Sequence, residues 1–294
     1  MTPPAGPSLK SGFVAVAGRP NVGKSTLVNA LAGGKVAIVS DKPQTTRRRI
    51  AAVVNGDGYQ LVLTDLPGFQ RPRDALTERM QRTVDASLED VDAHLLVLAA
   101  DEAIGSGDRF VAARVFASGC PVVIALNKVD QLRPERIAEQ IQVAASLGDF
   151  HALHPISAAR GEGLGPLQDD LVALLPEGPL YFGEGESTDL PLEARVAELV
   201  REQALAHTRE EVPHAIGVEV EELEEGRVHA VVFVETESQK GILIGKAGSM
   251  IKAIGAGARP EIERLLGGKV YLELQVKVRP HWRRDENVLE RFGI

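Results

Sequence analysis

The sequence predicts an α/β domain with a mostly parallel sheet, followed by a smaller α+β domain. In the first half, short apolar runs that are typical of buried strands alternate with stretches of helical periodicity. The glycine-rich stretch Gly18–Ser25 lies between the first such strand and the first such helix. After a Pro- and Gly-rich stretch at 177–191, the pattern changes to a helix, a hairpin, two helices around a second glycine-rich turn, and a strand.

Composition indicates a globular protein with two cores. A chain of 294 residues is long enough for two domains, and its 44% hydrophobic content with a mean hydropathy of −0.04 excludes a disordered chain. The net charge of −8 argues against a protein that coats nucleic acid by bulk electrostatics, but it leaves room for a local basic patch. Because Cys120 is the only cysteine, no disulfide can form within the chain, as is typical of a reducing cytosol.

The domain boundaries follow from composition shifts. Residues 1–11 predict a flexible tail that is neither a signal nor a transit peptide. We expect the first domain at 12–176, an interdomain linker at 177–191, and the second domain with a C-terminal helix at 192–294. No apolar run approaches the length that spans a bilayer, so we expect a cytoplasmic protein.

The first motif is a phosphate-binding loop after the predicted strand Phe13–Ala17. A helix N-terminus behind such a turn directs backbone N–H groups and the helix dipole at an anion. Lys24 would reach the β- and γ-phosphates of a nucleoside triphosphate, and the Ser25 hydroxyl would ligate Mg²⁺. The alternative, an ordinary glycine turn, does not account for the flanking strand and helix. The predicted contacts are Gly18, Arg19, Pro20, Asn21, Val22, Gly23, Lys24, Ser25 and Thr26.

A hairpin and a second motif follow a loop over 33–46. Strands at 48–54 and 59–64 flank the turn signal Asn55–Gly58. The second strand ends in Asp65-Leu66-Pro67-Gly68, where Asp65 can hold the Mg²⁺ shell, directly or through water, and the Gly68 N–H can reach a γ-phosphate.

Two further strand ends predict a guanine site. The strand at 122–126 ends in Asn127-Lys128-Val129-Asp130. Guanine presents N1–H and its exocyclic amine side by side, a donor pair that one carboxylate, here Asp130, can accept. Asn127 could bond the base edge, and the stem of Lys128 could lie along its face. After the strand at 152–156 come Ser157 and Ala158, and we expect the Ala158 N–H to bond the guanine carbonyl oxygen. The alternative for Asn127–Asp130 is a loop of solvated polar residues.

These motifs, in this order, resemble the Ras-like GTPase domain. The sequence of Arg19–Ser25, together with Thr45-Thr46-Arg47, is similar to that of its bacterial Era branch. The resemblance implies a mixed, mostly parallel six-stranded sheet with helices on both faces, slow hydrolysis of GTP to GDP with Mg²⁺, and switch loops near 33–46 and 68–76. It also implies that one switch threonine ligates Mg²⁺, and we favour Thr46 over Thr45. The catalytic set implied is Lys24, Asn21, Thr46, Asp65 and Gly68.

One residue departs from the Ras pattern. Phe69 follows Gly68 where Ras-type enzymes carry a glutamine that positions the attacking water. Backbone groups, a second cation or a residue lent by a partner would have to replace it. In the resembling branch, the asparagine at the position of Asn21 is linked to a potassium ion, so we expect K⁺ as a candidate cofactor.

The second half resembles a type II KH domain in its order of helix, hairpin, helix, Gly-x-x-Gly, helix and strand. Such a loop clamps single-stranded RNA. The alternative is a common helix–helix turn. Charge is nevertheless divided, since glutamates crowd the predicted hairpin and lysines surround the loop. The RNA-binding residues expected are Lys240, Ile244, Gly245, Lys246, Ala247, Gly248 and Lys252.

Together the two halves resemble the Era family from about residue 13 to the end. The resemblance implies a monomeric switch protein of 30S ribosomal subunit assembly that binds the small subunit near the 3′ end of its 16S rRNA. It also implies a peripheral contact with the inner face of the cell membrane, which no feature of the sequence requires. Two alternatives remain: a GTP-regulated protein- or membrane-binding module without an RNA role, and a nucleoside phosphotransferase, which would not need Asn127–Asp130.

Overall fold

The computed structural model describes residues 9–42, 44–69, 72–183 and 185–294. Its elements in chain order are β1 (Lys10–Ala17), α1 (Lys24–Ala32), β2 (Ile50–Gly56), β3 (Tyr59–Asp65), α2 (Ala75–Glu89), β4 (Ala93–Ala99), α3 (Ser106–Phe116), β5 (Val122–Asn127), α4 (Pro134–Ala145), β6 (Ala152–Pro155), α5 (Leu164–Ala173), α6 (Leu192–His207), α7 (Val212–Ala215), β7 (Gly217–Glu224), β8 (Arg227–Val234), α8 (Glu237–Ile244), α9 (Ser249–Leu266), β9 (Tyr271–Val278) and α10 (Glu286–Arg291). The chain divides into two compact units.

The first unit is the predicted α/β fold. Its six strands lie in the order β2-β3-β1-β4-β5-β6, and every neighbouring pair is parallel except the β2–β3 hairpin. Apolar side chains of α1 and α5 pack on one face of the sheet, and those of α3, α4 and the end of α2 pack on the other. The parallel strands therefore end at one edge, which is where sheets of this type bind ligands.

Two predicted boundaries of this unit need correction. The expected tail at 1–11 ends earlier, because Lys10 and Ser11 belong to β1 and pair with β3; residues 1–8 lie outside the described part. The expected linker is hydrogen-bonded to the sheet: the Ser11 hydroxyl donates to Pro179 O at 2.6 Å, and Val53 N donates to Ser187 O at 3.0 Å. Paired backbone of this kind is not a free connector, and the first unit accordingly extends to Asp189.

The second unit has the predicted α+β fold of a type II KH domain. Strand β7 is antiparallel to β8, β8 is parallel to β9, and the apolar faces of α6 and α9 pack on this three-stranded sheet. The predicted hairpin begins at Gly217, after the short helix α7. Pro213 lies in the first turn of α7, where its missing N–H costs nothing.

The second unit also contains two segments from earlier in the chain, Ile38–Thr45 and Pro72–Met80. Leu76 and Met80 pack in a cluster around the completely buried Trp282. The remaining buried members of this cluster are Val231, Phe233, Val288, Leu289 and Phe292. Parts of both predicted switch loops therefore belong to the KH-containing unit; Pro43, Gln70 and Arg71 of these loops lie outside the described residues. Among the described helices, none is both long enough and apolar enough to cross a membrane.

One buried side chain in the first sheet predicts a pH dependence of stability. His94 on β4 is completely buried, and neither ring nitrogen has a hydrogen-bond partner in the part of the chain that the structure describes. Burial lowers the pKa of His94 from 6.5 to about 4. The unfolded chain therefore takes up a proton below pH 6.5 that the folded chain refuses until about pH 4, so stability is lost as the pH falls through this window.

We expect the free energy of unfolding to fall by about 2 kcal/mol between pH 7 and pH 5 through His94 alone. Urea unfolding at both pH values measures it, with His94→Leu as the control because leucine fills the site without titrating. If the variant retains the full pH slope of the parent chain, His94 is not its source.

Candidate functional site: a nucleotide site and a Gly-x-x-Gly loop

The phosphate loop joins β1 to α1 in the first unit. Gly23 caps α1 with a φ of 98°, and a Cβ added there would lie 2.2 Å from Nδ2 of Asn127. Only glycine suits this position, because its backbone is left-handed and the side chain of Asn127 leaves no room for a Cβ. Asn21 also has a positive φ of 65°, which asparagine tolerates better than most residues.

Lys24 is held under this loop. Its ammonium donates to the carbonyl oxygens of Gly18 at 3.1 Å and Arg19 at 3.0 Å, and the residue is buried. Burial lowers the pKa of Lys24 to about 8, while the charge of Asp65 opposes the shift. Lys24 therefore presents a desolvated positive charge, which attracts phosphate more strongly than a hydrated one.

Three oxygen-bearing side chains meet beside Lys24. Oδ2 of Asp65 accepts from the Ser25 hydroxyl at 2.7 Å and from the Thr46 hydroxyl at 3.2 Å, and the two hydroxyl oxygens lie 3.0 Å apart. Burial raises the pKa of Asp65, against the charge of Lys24 and these two hydrogen bonds. Oδ1 of Asp65 has no hydrogen-bond partner among the described residues.

This arrangement fits the predicted magnesium site. Mg²⁺ prefers oxygen ligands, and a buried carboxylate oxygen without a donor is stabilised by a cation. Of the two candidate threonines, Thr46 reaches the cluster. Thr45 does not, because its hydroxyl donates to Lys42 O at 2.7 Å.

Gly68 lies against the phosphate loop, since an added Cβ would come within 2.8 Å of Cγ of Pro20. Leu66 and Pro67 are buried beneath it. The ring of Phe69 is also buried and meets Phe110 of α3 edge-on at 6.5 Å. This agrees with the expectation that no side chain at position 69 orients the attacking water.

Asn127 connects two loops of the nucleotide site. Its Nδ2 donates to Val22 O at 2.9 Å, and its Oδ1 accepts from Ala158 N at 3.0 Å. Asn127 therefore ties the phosphate loop to the loop after β6, and the second hydrogen of its Nδ2 is left for the predicted bond to the base edge. The bond from the Ala158 N–H to the guanine carbonyl oxygen stays a prediction, and the amide of the exposed Ala159 is a second candidate donor.

Asp130 remains available to a base. It lies in a helical turn just after β5, with its side chain 13% exposed and Oδ2 3.5 Å from Nε of Arg160. The ammonium of Lys128 lies 3.1 Å from Asp101 Oδ2, and this contact fixes where its stem runs. Arg160 and Asp101 were not predicted, because nothing in the local sequence pattern marks them.

Arg19 was predicted to contact the nucleotide, but the structure directs its side chain elsewhere. Nε donates to the buried Asp108 at 2.7 Å, and Nη2 donates to Glu102 at 2.8 Å. The hydrogen bond with Asp108 raises the pKa of Arg19. Asp108 also accepts from Gly105 N at the start of α3, so Arg19 connects the phosphate loop to that helix. Thr26 lies in the first turn of α1, as expected.

The Gly-x-x-Gly loop in the second unit joins α8 to α9. Gly245 has a φ of 71°, Ala247 one of 50° and Gly248 one of 76°, so the backbone makes a tight left-handed turn. Lys246, Ala247 and Lys252 are exposed, and Lys240, Ile244 and both glycines are half-buried. Ile242, an apolar side chain 47% exposed on α8, adds to this surface and was not predicted.

The lysines of this loop carry unneutralised charge. Among the described residues, Lys240, Lys246 and Lys252 have no hydrogen-bond or ion-pair partner, whereas Lys269 and Lys277 are paired with Glu263 and Glu221. The surface around this loop is therefore positively charged, although the chain as a whole is acidic.

Comparisons with known proteins find relatives of both units. A family model described as a 50S ribosome-binding GTPase matches residues 13–128, and a KH-domain model matches residues 211–283. GTPase Era of Mycobacterium sp. (strain JLS) is 45% identical over 295 residues, covering 97% of this chain and 99% of the relative. The chain belongs to the Era family of GTPases. The Era of Heliobacterium modesticaldum is 46% identical over 290 residues, covering 97% of both chains.

Solved Era structures share the fold. One, of Era in complex with MgGDPNP and nucleotides 1506–1542 of 16S ribosomal RNA, matches with a TM-score of 0.94 at 38% identity, over 97% of this chain and 99% of that one. Another, of an Aquifex aeolicus Era variant bound to GDP·AlF4⁻, matches with a TM-score of 0.93 at 38% identity and the same coverage. As a member of the Era family, the chain binds and hydrolyses GTP.

We expect Asp130→Asn to lower GTP affinity by about 100-fold or more, because two hydrogen bonds to a carboxylate are lost. Affinity for xanthosine triphosphate should rise, since xanthine carries a carbonyl where guanine carries the amine. Competition binding with both nucleotides measures the change. Asp149→Asn, at an exposed position, is the matched control; unchanged selectivity in Asp130→Asn would place the base elsewhere.

Proposed function

We propose that the site residues divide the work of GTP hydrolysis as follows. Lys24 neutralises charge on the β- and γ-phosphates, and the Gly68 N–H donates to the γ-phosphate. Ser25 and Thr46 hold Mg²⁺, with Asp65 accepting from both hydroxyls or from water on the ion. The metal, when bound, withdraws charge from the phosphate oxygens. The support is the meeting of Ser25, Thr46 and Asp65 beside a desolvated Lys24.

We propose further that Asn21 holds a potassium ion against the phosphates, in place of the charge that a Ras-type activating arginine supplies. Two observations support this. Phe69 is an apolar side chain buried in the core, so it does not orient water. Asn21 is exposed and has a left-handed backbone conformation in the phosphate loop.

The potassium proposal predicts faster GTP hydrolysis in potassium than in sodium buffer, by about tenfold, because Na⁺ is too small to span the same oxygens. Single-turnover phosphate release measures the rates. Asn21→Ala should remove the difference between the two salts. Equal rates in both salts for the parent chain would overturn the proposal.

For the second unit, we propose binding of single-stranded RNA near the 3′ end of small-subunit rRNA, in the service of 30S subunit assembly. The observation that carries this is the pair of exposed lysines, Lys246 and Lys252, which have no partner among the described residues and lie near the apolar Ile242 and Ile244 in sequence. Phosphates would lie on the lysines and the turn, and bases on the apolar side chains. The Era structure that contains 16S rRNA nucleotides 1506–1542 supports the choice of RNA.

We propose that GTP favours the RNA-bound state and that hydrolysis releases it, as a switch in which the γ-phosphate orders the two switch loops. A monomeric state, a cytoplasmic location, peripheral contact with the inner face of the membrane, and association with the whole small subunit remain predictions. The phosphotransferase alternative has no support, since family membership makes the chain a GTPase.

The RNA proposal predicts that Lys246→Gln/Lys252→Gln weakens binding of an oligonucleotide with the sequence of the 16S rRNA 3′ segment. Each lost phosphate contact should make the slope of log affinity against log salt shallower by about 0.7. Fluorescence anisotropy over a salt series measures both quantities. Gly245 is left intact, because an added Cβ would lie 2.7 Å from Cβ of Met250.

Lys269→Gln is the matched control, since Lys269 lies beyond the opposite end of α9 and is already paired with Glu263. It should leave both affinity and salt slope unchanged. If the double variant binds RNA as the parent does, the loop is not the RNA site. If the parent chain shows no preference over a scrambled oligonucleotide, a protein- or membrane-binding module becomes the better explanation.

A further inference from the structure

Helix α6 carries three charged side chains that are almost fully buried. Glu198, Arg201 and Glu202 are 9%, 3% and 8% exposed. Removing charged groups from water is unfavourable, and an apolar helix face would avoid that loss. Their presence on a packed face is therefore best explained by hydrogen bonds that only such groups can make.

Arg201 binds the backbone of the segment Ile38–Thr45, which belongs to the same unit. Glu198 orients the guanidinium, because its two oxygens accept from Nε at 3.1 Å and from Nη2 at 2.5 Å. Nη2 also donates to the carbonyl oxygen of Thr45, and Nη1 lies 3.5 Å from that of Gln44. A planar, always charged donor suits two successive carbonyl groups, which a lysine could not bridge in the same way.

Glu202 holds the same segment near its other end. Its Oε1 accepts from the backbone N–H of Val39 at 2.9 Å. One face of α6 therefore bonds the backbone at 39 with an anion and at 44–45 with a cation. Both contacts are to main-chain groups, so they do not depend on which side chains stand at positions 39, 44 and 45.

Thr46 is the next residue along this backbone, and its hydroxyl lies with Ser25 and Asp65 in the first unit. We propose that Arg201 and Glu202 are positioning residues for Thr46, and that they link the bound nucleotide to helix α6. The proposal rests on the role of Thr46 as a Mg²⁺ ligand in the GTP-bound state. Because coupling is reciprocal, GTP with Mg²⁺ stabilises the contact of α6 with the segment by the same factor by which that contact tightens GTP.

The test compares affinities for Mg²⁺-GDP and for a non-hydrolysable Mg²⁺-GTP analogue in the full chain. Arg201→Gln should weaken the analogue about tenfold and leave GDP unchanged, because Thr46 serves only the triphosphate state. The Mg²⁺ concentration for half-saturation should rise for the analogue complex alone. Arg201→Lys should restore part of the affinity, since lysine keeps the charge and one donor.

Arg195→Gln is the matched control. It is the same change on the same helix, at a side chain that forms no hydrogen bond or ion pair with Ile38–Thr45 among the described residues. It should leave the ratio of the two affinities unchanged. Glu202→Ala removes the acceptor of the Val39 N–H and should also lower the ratio of the affinity for the GTP analogue to the affinity for GDP. This second variant keeps the test decisive if circular dichroism shows that Arg201→Gln does not fold.

The outcomes separate this inference from the proposed function. If the parent chain binds the analogue without any dependence on Mg²⁺, the role of Thr46 itself is wrong. If the parent shows that dependence and both Arg201→Gln and Glu202→Ala keep the parental ratio, the positioning role is wrong while the site stands. A parallel loss of affinity for both nucleotides would indicate a merely structural role and would also overturn it.

Discussion

The nucleotide site depends on the desolvated carboxylate of Asp65. One oxygen accepts hydrogen bonds from Ser25 and Thr46, and the other has no donor among the described residues. Such an oxygen is costly unless a cation meets it, and Lys24 beside it is equally desolvated. The sheet holds the two charged groups together, because β1 and β3 are neighbouring parallel strands. Asp65 ends β3, and Lys24 follows β1 at the same edge of the sheet, so neither residue has much freedom to move away.

The features that the sequence predicted are formed by residues adjacent in the chain. Strand, turn and helix are adjacent in the chain, so the patterns around Gly18–Ser25, Asp65 and Asp130 predicted both their elements and their place at one edge of the sheet. The side-chain contacts that the sequence did not predict share one cause. Asn127 bonds Val22, and Arg19 bonds Asp108, across more than 80 positions of sequence. Polar side chains that could face a ligand can equally face each other, and periodicity does not distinguish the two.

In the second unit, too, contacts between residues far apart in the sequence could not be predicted. The chain has a negative net charge, yet the loop lysines have no ion-pair partner in the part of the chain that the structure describes, whereas Lys269 and Lys277 are paired with glutamates. The division of charge along the sequence predicted this qualitatively. The membership of Ile38–Thr45 and Pro72–Met80 in this unit could not be predicted, because it is set by buried partners on α6 and around Trp282, more than 100 residues downstream.

Trp282 has a practical consequence. It is the only tryptophan in the chain, it is fully buried, and its indole N–H donates to Ala215 O at 2.8 Å. Leu76 and Met80 pack in the same cluster. Indole emission is sensitive to the polarity of its surroundings, and no other side chain here competes at the red edge of absorption. The emission of Trp282 therefore reports, without any added label, how the end of the second switch loop and the start of α2 are packed.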